Sequence, residues 1–123
     1  MHPKFFVEVL LELIKTGGIV FITEIVRMKT IEGITKDDFI EIVDAPEKNF
    51  HSKQEGFINS ELLFNDEENG WYMIQHWNSK DDLKKASKKI FIDKDAEKFV
   101  KSLNKQSVKM LILPQLASWG EVI

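Results

Sequence analysis

The spacing of apolar side chains changes several times along the chain, and each change predicts a new element. The first apolar stretch, FFVEVLLELI, follows Pro3 and precedes the Gly17-Gly18 pair. Proline is common at the start of a helix and glycine just after its end. It is too short to cross a bilayer and is interrupted by two glutamates. It also lacks the basic start and small-residue cleavage site of a signal peptide. Residues 1–18 are therefore expected to form an N-terminal helix.

The next two elements are a strand and a helix. Residues 19–29, IVFITEIVRMK, are rich in β-branched residues and bounded by turns, which predicts a strand. Thr35 and Asp38 match a capping box, and apolar residues then recur at helical spacing, which predicts a helix. Pro46 is expected to end or kink this helix because proline has no N–H to donate. A short helical piece is expected from there to about Lys53.

A hairpin, two helical segments and a last strand follow. Residues 56–64 predict a second strand, which the Asn69-Gly70 pair joins in a hairpin to a third strand ending near Ser79. A capping pattern at Ser79 and a second start signal at Asp93 predict two helical segments. Residues 107–113, SVKMLIL, predict the last strand.

This order of elements defines the fold class. A leading helix is followed by β-α-β-β-α-β, which is the ferredoxin-like α+β arrangement. In that arrangement a four-stranded antiparallel sheet has helices on one face. We assign residues 19–116 to this domain and residues 117–123 to a C-terminal tail.

The predicted strands are apolar on both faces. In the third strand Trp71, Met73 and Trp77 alternate with Tyr72 and Ile74. A sheet with one solvated face would alternate apolar with polar residues instead. Since a large exposed apolar patch usually marks an interface, a symmetric homodimer with facing sheets is the expected cover. The N-terminal helix is the rival cover.

Composition narrows the classes of function. The chain has 123 residues, of which 43% are hydrophobic and 30% charged, as in an ordinary single folded domain. It has no cysteine, which excludes disulfides and thiolate chemistry and fits a cytoplasmic location. A net charge of −3 argues against nucleic-acid binding, although lysines are concentrated in residues 80–109. No nucleotide, hydrolase or metal-binding motif is present, so no metal or cofactor is expected.

Two polar residues within the strands are candidates for catalysis. His76 is either a hydrogen-bonded interface residue or a proton acceptor, because a histidine side chain ionises near neutral pH. Glu24 shares a strand face with apolar residues, so it is either paired with a lysine or His76, or a buried base with a raised pKa. Aromatic residues such as Trp77 more often belong to a core or interface than to a ligand site.

One segment resembles a known family. The sequence IQHWNSKDDLKKA, a strand that ends in Trp77 and is followed by Ser79 and a lysine-rich helix, resembles the WxS segment of the antibiotic biosynthesis monooxygenases. The glycine turn at residues 30–33, the helix start at residues 37–39, EGF before the second strand and the closing ILPQL agree in order. The resemblance covers about residues 19–116.

The resemblance implies a dimeric α+β barrel, in which two such sheets face each other. It also implies that a small quinol- or anthrone-like aromatic is oxidised by molecular oxygen without metal or flavin. Such a reaction needs an aromatic-lined cavity, a base or hydrogen-bond donor, and exclusion of water. Our candidates for substrate binding are Trp77, Met73, Phe39, Asn59 and His51.

The chain departs from this family at its catalytic positions. Many quinol-oxidising relatives have a histidine about where Ala86 and Ser87 stand, and others have an asparagine where this chain has Met73. Haem-degrading relatives need residues that are replaced here by Ala86 and Ala96, so haem cleavage is not expected. The residues left to supply the missing group are His76, Glu24, His51 and Asn59. Two hypotheses stay open: a cofactor-independent monooxygenase, and a non-catalytic barrel that binds a hydrophobic ligand or serves a structural or regulatory role.

Overall fold

The computed structural model describes residues 21–120, which form a four-stranded antiparallel sheet with helices on one face. The strands are β1 (Ile22–Thr30), β2 (Phe57–Asn65), β3 (Gly70–Trp77) and β4 (Leu103–Pro114). The helices are α1 (Lys36–Asn49), α2 (Lys80–Lys89) and α3 (Glu97–Ser102). The strand order β2-β3-β1-β4 is the predicted ferredoxin-like α+β arrangement. The helix expected for residues 1–18 lies outside the described residues.

The register of the sheet decides which side chains face the helices. β1 lies between β3 and β4, so that Glu24 is beside Gln75 on one side and Ile112 on the other. Along β3 the alternate residues are buried, and these are Trp71, Met73, Gln75 and Trp77. The predicted separation of the two faces of this strand is therefore confirmed.

Two apolar clusters attach the helices to the sheet. The first consists of Ile22, Phe50, Trp77, Leu83 and Ala86. The second consists of Met28, Phe39, Val43, Trp71 and Met73, with the Phe39 ring centroid 4.8 Å from that of Trp71. Burying each large apolar side chain contributes roughly 1.5–3 kcal/mol to the stability of the fold. The first cluster therefore holds α2 on the sheet, and the second holds α1.

The N-terminal end of α1 follows the sequence prediction, whereas its C-terminal end does not. Thr35 Oγ1 accepts a hydrogen bond from Asp38 N at 3.1 Å, and the Asp38 carboxylate accepts one from Thr35 N. Of the two outcomes expected at Pro46, an end or a kink, the helix does not end there, because α1 continues to Asn49. Proline removes one N–H donor, but Phe50 N still donates to Pro46 O at 3.0 Å and the proline ring is buried. A short 3-10 turn, His51–Lys53, follows.

The remaining boundaries agree with the sequence except at β4. The hairpin forms with Asn69 at φ 52°, and Ser79 Oγ accepts from Asp82 N to cap α2. Asp93 caps a 3-10 turn that leads into α3. β4 begins at Leu103, earlier than predicted. Its first residues are mostly polar and lack the alternation of apolar residues that predicts a strand. They nevertheless pair with the end of β1, beyond a shift in register.

The sheet face away from the helices is open to solvent. Leu63, Leu111 and Leu113 lie on it and are 47, 58 and 46% exposed. No element within residues 21–120 covers this face. In the same part of the chain, no helix is long and apolar enough to span a membrane.

Candidate active site

A cavity of about 440 Å³ lies between the sheet and the helices. The buried face of β1, β3 and β4 supplies one wall, and the three helices with the turn Ile90–Ile92 supply the others. Most of the lining is apolar, including Val26, Met28, Met73, Leu83, Val100 and Leu103. Cavities of a few hundred Å³ with mostly apolar walls bind small organic ligands.

Six polar residues interrupt the apolar lining, and two of them are Ser87 on α2 and Lys105 on β4. Of the other four, Glu24 comes from β1, Gln75 from β3, Glu47 from α1 and His51 from the 3-10 turn after α1. Glu24, Gln75 and His51 are buried, with 5, 3 and 8% of their surfaces exposed. Polar side chains at such positions need partners inside the protein.

Glu47 accepts hydrogen bonds from three directions. Its Oε1 accepts from Gln75 Nε2 at 3.0 Å and lies 2.9 Å from His51 Nδ1. Its Oε2 accepts from Ser60 Oγ at 2.5 Å. A carboxylate only accepts, so its hydrogen bond with His51 requires the proton on Nδ1, a nitrogen that also lies 3.3 Å from Gln75 Nε2. The other ring nitrogen, Nε2, is then the one with a free lone pair.

Aromatic rings hold the imidazole of His51 in place. The Phe57 ring is stacked on it at 5.9 Å between centroids. Phe50 and Trp77 meet it edge-on at 5.1 and 6.2 Å. The ring is therefore oriented by packing as well as by Glu47, which is the arrangement needed for a general base with one fixed tautomer.

Glu24 is the buried carboxyl without a partner. Among residues 21–120 it forms no hydrogen bond and no ion pair, so neither a lysine nor His76 pairs with it there. Burial raises its pKa, the charge of His51 lowers it, and the nearby Glu47 carboxylate raises it again. The raised pKa agrees with the sequence-based expectation for this position.

The structure separates the two residues that were candidates for catalysis. His76 lies on the opposite sheet face from the cavity, with Nδ1 3.0 Å from Thr23 Oγ1 and Nε2 3.8 Å from a Glu61 carboxylate oxygen. Neighbouring residues in a strand face opposite ways, and Glu24 pairs with Gln75 rather than with His76. Glu24 lines the cavity, whereas His76 does not.

Three of the five candidate binding residues also line the cavity. These are Trp77, Met73 and His51. Phe39 lies outside the lining, buried in the core with its ring 4.8 Å from Trp71 and 6.1 Å from Phe99. Asn59 is also outside the lining, in β2 opposite His76.

Sequence reasoning did not single out Glu47 or Ser60. The available signal was the four-residue spacing from Glu47 to His51, which places two side chains on one side of a helix. Ala86 and Ser87, where many quinol-oxidising relatives have a histidine, do line the cavity. This chain therefore has small side chains at that wall, while the titratable residues of the lining come from α1, the following turn, β1 and β4. Nowhere in residues 21–120 are three or more His, Asp or Glu residues grouped to hold a metal ion.

Together, the sheet order and the cavity define a ferredoxin-like α+β domain with the fold of the antibiotic biosynthesis monooxygenases. No protein-family model matches the chain, and no curated protein does. The structural similarity extends to a conserved protein from Methanosarcina mazei Go1, with 13% identity and a TM-score of 0.58 over 77% of this chain and 92% of that chain.

Two further similar structures have functional names. SnoaB from Streptomyces nogalater, a cofactor-independent oxygenase, is 17% identical, with a TM-score of 0.55 over 82% of this chain and 96% of that chain. A proposed antibiotic biosynthesis monooxygenase from Chloroflexus aurantiacus J-10-fl is 12% identical, with a TM-score of 0.55 over 81% of this chain and 97% of that chain. At these identities the likeness shows the fold alone, and it confirms the ferredoxin-like α+β fold class.

Proposed function

We propose that this protein is a cofactor-independent monooxygenase that oxidises a small quinol- or anthrone-like aromatic with molecular oxygen. The observation that supports this most is the buried His51–Glu47 pair in the wall of an otherwise apolar cavity. A fixed base in a cavity that excludes water is what such a reaction requires. The shared fold with SnoaB, which is named as a cofactor-independent oxygenase, adds support.

The first step is proton transfer from the substrate to His51. Glu47 holds the Nδ1 proton, so Nε2 accepts the new one, and the carboxylate then stabilises the imidazolium. The aromatic anion passes one electron to O₂, and the two resulting radicals combine. Loss of water leaves a carbonyl group, and His51 returns its proton to that water. For an anthrone-like substrate, in which R₂CH₂ is the ring methylene group, the balance is R₂CH₂ + O₂ → R₂C=O + H₂O, so the substrate supplies all four electrons.

The exposed sheet face supports a homodimer as part of this proposal. A contiguous apolar patch that includes Leu63, Leu111 and Leu113 is unusual on a monomer. A second copy related by a two-fold axis covers the patch and completes the α+β barrel. Since the cavity lies on the other face, each copy contains its own site. The cytoplasmic location expected from the sequence also belongs to this proposal.

Oxygen uptake by the metal-free protein with a panel of quinols and anthrones tests the proposed activity. The wild type is compared with His51→Gln and with His76→Gln, which changes the same residue type on the opposite sheet face. Saturable uptake is expected in the wild type, with a loss of about 10²-fold or more in His51→Gln. His76→Gln is expected to retain the wild-type rate within about 2-fold, because its side chain is outside the cavity.

Two results would contradict this assignment. If His51→Gln keeps the wild-type rate, His51 is not the base. If the folded wild type shows no uptake above the chemical background, the protein is not an oxygenase for these aromatics. Saturable binding of the same compounds without turnover would then support the alternative, a non-catalytic barrel that binds a hydrophobic ligand.

A further inference from the structure

The cavity contains a second carboxyl group that the His51–Glu47 pair does not use. Glu24 lines the same cavity, is only 5% exposed and has no hydrogen-bond or ion-pair partner in the described part of the chain. We propose that Glu24 is kept in its neutral acid form and donates its O–H to a carbonyl oxygen of the substrate. It is then a specificity-determining residue that selects keto-aromatics over aromatics without a carbonyl. This deepens the proposed function, and its binding test is independent of turnover.

Among residues 21–120, no group donates a hydrogen bond to the Glu24 carboxyl group. Ile22 and Val26 flank it on the same face of β1, and Ile112 lies beside it on β4. Its polar neighbour on β3, Gln75, already donates to Glu47. A buried charge without a partner is unfavourable, so the group loses its charge instead. A neutral carboxyl needs only one acceptor for its O–H, and a ligand carbonyl supplies it.

The charged groups around the cavity act on Glu24 in opposite directions, since His51 lowers its pKa and Glu47 raises it, and burial is the largest influence. Glu47 and His51 face it from the end of α1 and the following turn, and Lys105 lines it from β4. Glu47 is negative and disfavours a second negative charge nearby, as its effect on the pKa of Glu24 shows. Within the described residues, α2 and α3 contribute no ionisable side chain to the lining.

The two carboxyl groups therefore have different roles. Glu47 accepts three hydrogen bonds, whereas Glu24 accepts none among the described residues. Opposite environments of this kind separate the acid and base roles in an active site. When His51 removes a proton from carbon, the electron pair of the C–H bond moves onto the carbonyl oxygen. The Glu24 O–H stabilises that oxygen, and no bond to Glu24 breaks.

A matched pair of non-ionising ligands tests the assignment without any oxidation. Xanthone and xanthene share one tricyclic skeleton, and only xanthone has the carbonyl oxygen. Dissociation constants are measured by titration calorimetry or tryptophan fluorescence for the wild type, Glu24→Gln and Glu24→Leu. At about pH 6 the wild type and Glu24→Gln are expected to prefer xanthone by about 3- to 10-fold, because both can donate a hydrogen bond. Glu24→Leu, of similar size but without a donor, is expected to lose this preference.

The pH dependence of the preference for xanthone over xanthene tests whether protonated Glu24 is the source of that preference. In the wild type the preference is expected to disappear as the pH rises to about 9, because an ionised Glu24 repels the carbonyl oxygen. Glu24→Gln has no proton to lose and keeps its preference, with His51, Glu47 and Lys105 unchanged.

Three outcomes would overturn the role of Glu24. They are no preference in the wild type, a preference that survives in Glu24→Leu, and an equal pH dependence in Glu24→Gln. The proposed function fails separately: the xanthone preference would then be intact while no aromatic supports oxygen uptake.

Discussion

Glu47 Oε1 lies 2.9 Å from His51 Nδ1, across the four-residue step from the last turn of α1 to the turn that follows. Gln75 on β3 and Ser60 on β2 donate to the same carboxylate. These contacts tie the end of α1 to two strands. They also decide which ring nitrogen of His51 is free to accept a proton. In the proposed reaction Glu47 is a positioning residue, since it would act on the substrate through His51.

Replacing Glu47 with glutamine is expected to lower kcat by about 10- to 100-fold with little change in KM, because the imidazolium loses its counter-charge. The free energy of unfolding is expected to fall by about 1–3 kcal/mol, because one of the buried donors loses its acceptor. Steady-state kinetics across pH and urea unfolding measure the two effects.

Asp44→Asn is the matched control for this change. Asp44 is an exposed carboxylate on the same helix, paired with Lys48 at 3.0 Å. An exposed pair of this kind contributes at most about 1 kcal/mol, so both activity and stability should stay near wild type. A Glu47→Gln rate within about 2-fold of wild type would show that His51 does not need this carboxylate.

Glu24 should make the protein less stable as the pH rises. Its folded pKa is raised above the ordinary value of 4.5, mainly by burial, so the folded state holds this proton to higher pH than the unfolded state does. The contribution of protonated Glu24 to the free energy of unfolding is complete below the ordinary pKa of 4.5. It is lost as the pH rises through the raised pKa of the folded state. Glu24→Gln cannot ionise, so its stability advantage over wild type should grow from about pH 5 to pH 8.

Urea unfolding of both proteins over this pH range measures that difference directly. Subtracting the two curves removes the contribution of every other titrating group that is common to both. A difference that does not change with pH would mean that Glu24 titrates equally in the folded and unfolded states.

Two glycines with similar backbone angles should respond differently to alanine. Gly33 has φ +90° and no atom within 4 Å of an added Cβ, whereas Gly56 has φ +80° and an added Cβ would lie 2.1 Å from Asp82 Oδ2. Gly33→Ala is expected to cost about 1–2 kcal/mol from the left-handed backbone alone. Gly56→Ala should cost a further 1–3 kcal/mol, roughly, because Asp82 at the start of α2 must move. Equal melting temperatures for the two variants would contradict this account.

The proposed dimer is tested by placing a charge on the open sheet face. Leu111→Glu places a charge on each copy within the proposed interface, which should weaken dimerisation by about 100-fold or more. Leu116→Glu is the control, since Leu116 is 64% exposed and follows β4 rather than lying in the sheet. Light scattering at several protein concentrations should show a monomer only for Leu111→Glu. A monomeric wild type would contradict the dimer.

The parts of the fold that depend only on residues close together in the sequence are predictable from that sequence. Thr35 and Ser79 cap their helices because each needs only a donor three residues later. Asn69 makes its turn because asparagine tolerates a positive φ. The continuation of α1 past Pro46 was harder to predict. The loss of one helical hydrogen bond at proline can be read from the sequence, whereas the burial of its ring, which compensates for that loss, depends on the tertiary structure.

The candidate site is less predictable, because it depends on how α1 crosses the sheet. Glu24 and His51 meet at one cavity although they are far apart in the chain. His76 is an attractive residue type in a well-defined strand, yet it lies on the face without helices. Both faces of β3 contain apolar residues, so alternation could not indicate which one the helices cover.

The separation between the cavity walls and the Glu47 network has a consequence for how this scaffold can diversify. Ser87 on α2 and Val100 on α3 line the cavity, while the groups that bind Glu47 come from β2, β3 and the turn after α1. Mutations in α2 and α3 can therefore change the shape of the cavity without altering the hydrogen bonds of Glu47. Under the proposed function, the shape of the accepted molecule can then evolve separately from the base, whereas a change at Glu24 on β1 would affect selectivity and reactivity together.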